Sequence, residues 1–154
     1  MHDTAPVISD HQRIHVVGVG GAGMSAIAEV LAVMGHTVTG SDLKASAGLD
    51  RLAALGIEVT VGHHACNINS ADLVTRSTAV PDHNPECSAA WNAGVPVVSR
   101  ATILAAICGE RETIAVAGTH GKTTTSSMLA LVLREAGLQP SFIIGGDVNE
   151  IGTG

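Results

Sequence analysis

The chain has 154 residues, 45% of them hydrophobic and 14% charged, with a net charge of −6 when the histidines are neutral. That is enough apolar material for a core, which excludes a disordered tail, and the few Lys and Arg residues do not cluster into a nucleic-acid surface. Phe142 and Trp91 are the only aromatics, so the core has to be Val, Ile, Leu and Ala, a composition suited to parallel strands covered by helices.

Residues 1–12 read as a flexible polar leader, without the basic start or apolar centre of a signal peptide. Ile14–Val17 is a β-rich run. Met24–Met34 has apolar residues at helical spacing, closed by Gly35. Thr37–Thr39 is a second strand, Leu49–Leu55 a short helix closed by Gly56, and Ile57–Val61 a third strand. Leu73–Thr75 is a fourth strand, followed by a loop from Ser77 to Asn84. Pro85 opens a helix to Asn92, with Trp91 as a packing residue. Val95–Val98 is the fifth strand and Arg100–Cys108 a helix. The joint of helix end, glycine and extended run recurs at Gly35, Gly56, Gly94 and Gly137. Strands alternating with helices predict an α/β fold, a Rossmann-like doubly wound parallel sheet over residues 13–110. After the polar break Gly109–Glu112, a new unit is expected over 111–154. It reads as strand Thr113–Ala117, a glycine loop, helix Lys122–Glu135 and strand Ser141–Ile144. One βαβ unit cannot cover both faces of a sheet, so this reads as the truncated start of a P-loop ATP-binding domain.

Cys66, Cys87 and Cys108 form no CxxC pair and are read as reduced thiols of a cytoplasmic chain. No apolar run reaches the roughly 18 residues of a membrane span. Neither nucleic acid nor membrane is an expected partner.

Two glycine loops carry the chemistry. Gly18-Val19-Gly20-Gly21-Ala22-Gly23 fits GxGxxG after the first strand and at the mouth of a helix. Its glycines let backbone approach a pyrophosphate, and the helix N-terminus adds free N–H groups and partial positive charge. Asp42 stands about 20 residues on, where a carboxylate accepts from a ribose hydroxyl. An NAD site and a ligand-free packing turn are the rival readings. The second loop, Gly118-Thr119-His120-Gly121-Lys122-Thr123-Thr124, places Lys122 for terminal phosphates and the Thr123 hydroxyl for Mg²⁺. Only two residues separate Gly118 from the Gly-Lys pair, so the standard P-loop expression fails. Two such loops in one chain point to ATP-driven chemistry on a nucleotide-bearing substrate.

At these residues the chain resembles the muramyl ligases of bacterial cell-wall synthesis. The carriers are Gly18–Ser25, Ser41-Asp42, Gly62-His63, Asn67-Ile68, Ser77–Pro81, Asn84-Pro85-Glu86, Arg100-Ala101, Gly118–Thr124 and Gly145-Gly146. The shortened P-loop is that family's own form. Gly21 with Met24-Ser25 is typical of its alanine-adding branch, and Thr102 departs from the acidic residue usual after Arg-Ala. The resemblance implies ATP-dependent addition of L-alanine to UDP-N-acetylmuramate through an acyl phosphate. It implies that Gly20, Gly21, Ala22, Gly23, Met24 and Ser25 hold the UDP pyrophosphate. Asp42 and His63 are then at the ribose and uracil end, and Ser77 and Thr78 line the same crevice. Gly118, Thr119, His120, Gly121, Lys122, Thr123 and Thr124 hold ATP, with Lys122 and Thr123 catalytic and Thr123 on Mg²⁺. It further implies that this chain is a fragment that binds the UDP-sugar without turnover. The sister ligase that attaches a recycled peptide, a stand-alone UDP-sugar binding domain and an NAD-sensing module are the alternatives.

Overall fold

β1 (Arg13–Val17) takes the centre of a sheet because it has almost no polar side to show: Ile14, Val16 and Val17 are at most 1% exposed. The computed structural model describes residues 8–144, 147–148 and 152–153. Beside β1 stand β2 (Thr37–Asp42), β3 (Glu58–Val61), β4 (Leu73–Arg76) and β5 (Val97–Ser99). Their spatial order is β3-β2-β1-β4-β5 and every pair is parallel. The winding direction reverses between β1 and β4, which opens a crevice at the C-terminal ends of those two strands.

α1 (Ala22–Val33), α2 (Ala47–Ala54) and α4 (Arg100–Gly109) cover one face. Ile27, Leu31, Leu49, Leu52 and Ile103 join Ile14 and Val16 in that core. α3 (Pro85–Asn92) and a 3-10 turn at Ala65–Ile68 cover the other face, over Val17, Val74, Cys87 and Ala90. Each such buried aliphatic side chain contributes about 1.5–3 kcal/mol. Trp91, expected to pack, is 49% exposed on α3, because the buried face of that helix is set by Glu86, Cys87 and Ala90.

The helix boundaries follow from local chemistry. Asn84 Oδ1 accepts from the Glu86 and Cys87 amides, with Pro85 at the first turn. Ser99 Oγ accepts from Thr102 N at 3.1 Å and meets Thr102 Oγ1 at 2.8 Å, so the threonine keeps the cap that an acidic residue there would share. The four expected glycine joints all have positive φ, and the next residue's amide reaches back into the helix, as His36 N does to Leu31 O.

The second unit departs from expectation. α5 (Lys122–Glu135) forms, but residues 113–117 and 141–144 are not strands. A strand exists by its ladder, and among the described residues neither segment pairs with another strand. Only Ala130 of α5 is buried, and Ile114, Met128 and Val132 are more than 60% exposed. A cavity of about 720 Å³ lies between this region and helices α1 and α4; Val30, Leu104, Ile107, Leu129 and Phe142 are among its walls, with Arg100 at its edge. A two-stranded antiparallel ribbon pairs Asp147–Val148 with Gly152–Thr153. Of the expected leader, residues 1–7 lie outside the described residues; Ile8 is buried in the α1-side core and His11 Nδ1 lies 3.2 Å from Gly35 O.

Candidate functional site

The first glycine corner sits at the strand-order switch. Gly18 and Val19 amides donate to Ser41 O, at 2.8 and 3.0 Å, which ties the loop to β2. A Cβ on Gly18 would lie 3.0 Å from Ser77 Cβ, so the start of the loop faces the end of β4, where Ser77 and Thr78 follow. Gly20 N donates to Asp42 Oδ2 at 2.9 Å. Asp42 therefore fastens the loop with one oxygen, while its other accepts from Lys44 N at 3.4 Å.

α1 begins at Ala22 with no side-chain cap, and the Ala22 and Gly23 amides have no partner among the described residues. These are the free donors that an anion at a helix N-terminus needs. Met24 and Ser25 contribute differently. Their side chains are buried and their amides donate to Gly21 O, so they build the first helical turn instead of facing the crevice.

Two residues that motif reading left without a role belong to this site. Arg100, the first residue of α4, lays its guanidinium against Gly23: a Cβ there would collide with it. A cation thus stands beside the free amides. Glu86, fully buried on α3, is the second. Its Oε2 accepts from Ser41 Oγ at 2.7 Å and lies 3.0 Å from His63 Nδ1. Its Oε1 accepts from Asn67 Nδ2 at 2.6 Å. His15 Nε2 is 3.6 Å from Oε1, and His15 Nδ1 lies 2.8 Å from Thr39 Oγ1. Burial by itself raises the pKa of Glu86. The groups facing it, His15 first and then Ser41 and Asn67, outweigh burial and hold it at about 2. These partners favour the ionised carboxylate. The signal in the sequence was a glutamate sharing a helix face with Cys87 and Ala90.

The second corner has a different state. Gly121 caps α5 in the left-handed region (φ +78°) and Gly118 has φ +155°. No side chain caps α5, so its first-turn amides, including that of Thr123, open to solvent on an exposed loop. Lys122 Nζ donates to Gly118 O at 2.5 Å and Thr119 O at 3.3 Å. The ammonium lies over its own loop and has to leave these carbonyls to meet a phosphate. Helix-start amides, a lysine and the Thr123 hydroxyl are a donor set that fits a magnesium-bound polyphosphate. His120 and Thr124 are exposed on the same turn. The structure thus places Gly20–Gly23, Asp42, His63 and Ser77–Thr78 at or just beyond the C-terminal ends of the parallel strands, and Gly118–Thr124 at a separate helix start.

Comparison with known proteins identifies the family and the fold. The Mur ligase family, catalytic domain, matches residues 13–112. The UDP-N-acetylmuramate–L-alanine ligase of Aromatoleum aromaticum is 55% identical over 92% of this chain and 30% of its own length. That of Rubrobacter xylanophilus is 54% identical over 92% of this chain and 32% of its own. The chain spans about a third of the length of these relatives. Among solved structures, the UDP-N-acetylmuramate–alanine ligase of Thermotoga maritima superposes with a TM-score of 0.85 at 37% identity, covering 94% of this chain and 34% of that one. The UDP-N-acetylmuramate:L-alanyl-γ-D-glutamyl-meso-diaminopimelate ligase of Neisseria meningitides gives 0.82 at 36%, covering 93% and 45%. With its parallel five-stranded sheet, its glycine corner at the switch point and this match over most of its length, the chain belongs to the Mur ligase family.

Proposed function

We propose that this chain binds UDP-N-acetylmuramate at the first corner and Mg-ATP at the second, as the nucleotide-handling part of a cytoplasmic ligase that adds L-alanine to the sugar's lactyl carboxylate. The carrying observation is the pair of uncapped helix N-termini, at Ala22 and Lys122, each opened by glycine. The names of the relatives at 54–55% identity support the alanine assignment.

In this reading the Ala22 and Gly23 amides and Arg100 take the pyrophosphate, charge against charge. Asp42 holds the loop closed beneath the ribose, and Ser77 and Thr78 line the β4 side. His63 meets the nucleoside. At the other corner Lys122 swings from the Gly118 and Thr119 carbonyls to the terminal phosphates, and the Thr123 hydroxyl takes Mg²⁺. Mg-ATP supplies the phosphoryl group that makes an unreactive carboxylate open to an amine. The chain spans about a third of its relatives' length, and this reading assigns its residues the two nucleotide sites.

Calorimetric titration checks this. UDP-N-acetylmuramate should bind, Mg-ATP should bind separately, and NAD should give no heat. Heat from NAD alone would point to a dinucleotide-sensing module. The recycled-peptide ligase is the second reading, favoured by the Neisseria structure. Exchange of L-alanine for the tripeptide, in the ligase to which this chain belongs, separates the two.

A further inference from the structure

One nitrogen of the His63 ring is already engaged. Nδ1 lies 3.0 Å from Glu86 Oε2 and 3.0 Å from Ser41 Oγ. Ser41 spends its proton on Glu86 Oε2, so its oxygen offers Nδ1 only a lone pair. An ionised carboxylate accepts and never donates. A bare Nδ1 would put three acceptors face to face, so the proton of the neutral ring is on Nδ1 and the lone pair on Nε2. That Nε2 has no hydrogen-bond partner among the described residues and is not one of the atoms sealed from solvent. The ring stands directly after β3, on the C-terminal side of the sheet where the crevice opens. Asn67 ties the arrangement down, donating to Glu86 Oε1 at 2.6 Å and to Gly62 O at 3.0 Å.

We propose that Glu86 is a positioning residue for nucleotide-sugar recognition, fixing His63 so that Nε2 presents a hydrogen-bond acceptor to an N–H or O–H of the nucleoside. The proposal rests on the crevice reading above. Glu86 is sealed beneath the ring and acts only through it. Glutamine in its place keeps the shape but has one acceptor oxygen for donors on two sides. With that oxygen retained by Asn67, the amide NH₂ faces Nδ1 and drives the ring proton to Nε2, which turns the acceptor into a donor.

The test reads the tautomer directly. Side-chain ¹⁵N shifts of His63 in the unliganded chain should show a protonated Nδ1 and a pyridine-like Nε2, and Glu86→Gln should move the proton to Nε2. UDP titration should lose at least tenfold in affinity in E86Q. On a His63→Ala background, the same change should cost less than threefold. Mg-ATP affinity should be unchanged throughout. A protonated Nε2 in the unaltered chain overturns the proposal, as does an equal loss with and without His63, which would mark a structural role. If E86Q does not fold, the tautomer of the unaltered chain decides alone. Failure of UDP to bind the unaltered chain overturns the crevice reading, and is thereby distinct from a wrong tautomer.

Discussion

Glu86 shows how one side chain ties a fold to its chemistry. Its folded-state pKa of about 2 lies below the ordinary 4.5, so the folded form binds this proton less readily than the unfolded chain. The stability it contributes is present above pH 4.5 and is lost as the pH falls from there towards 2. The groups facing the carboxylate are His15, His63, Ser41 and Asn67. Thermal unfolding followed between pH 6 and 2.5 should show a fall in Tm over that window, and E86Q should flatten it. Arg100 makes the opposite case, being exposed. Arg100→Ala should leave Tm nearly unchanged, because a surface charge contributes little to folding. It should weaken UDP-N-acetylmuramate binding by about ten- to a hundredfold, the size of a lost charge-assisted hydrogen bond; calorimetry reads both.

At the scale of elements, the two helix starts differ in what glycine does. Gly23 leaves room for a guanidinium, not for a backbone turn: a Cβ there meets the flexible end of Arg100. Gly23→Ala should therefore leave the fold intact, even gaining up to about 1 kcal/mol of helix propensity, while pushing Arg100 away and weakening UDP-sugar binding. Gly121 is glycine for conformation, with φ +78° at the cap of α5 and, among the described residues, no neighbour within 4 Å of an added Cβ. Gly121→Ala should cost roughly 1–2 kcal/mol locally and fray the first turn of α5. Amide exchange at residues 122–125 and a loss of Mg-ATP affinity would record it. The glycine-closed helix ends were legible because a helix that turns sharply into a strand needs a left-handed residue, whatever surrounds it. The strands expected at 113–117 and 141–144 were not, because β propensity states a preference for a neighbour and does not supply one.

For the whole molecule, stability is uneven by construction. β1 is buried between two helical layers, whereas α5 buries one residue and leaves Met128 and Val132 in water. Hydrogen exchange should therefore protect β1 and β4 far longer than α5, since local opening costs least where few apolar contacts are lost. UDP-N-acetylmuramate should raise the Tm of the five-stranded unit, and Mg-ATP should slow exchange in α5 without that shift, because each ligand stabilises only what it binds.

The amino-acid sequence alone determined the doubly wound sheet, the two glycine corners and the family, since these depend on local periodicity, on left-handed turns and on motifs read in order along the chain. Tertiary structure decided what those letters face. Ser41, His63, Asn67 and Glu86 come from four separate segments and meet at 2.6–3.0 Å, and Arg100 lands on Gly23 across 77 residues. It also turned Met24 and Ser25 inward and set Asp42 on the loop amide of Gly20. Such contacts are fixed by how helices pack on a twisted sheet, a long-range property that no local window of sequence contains.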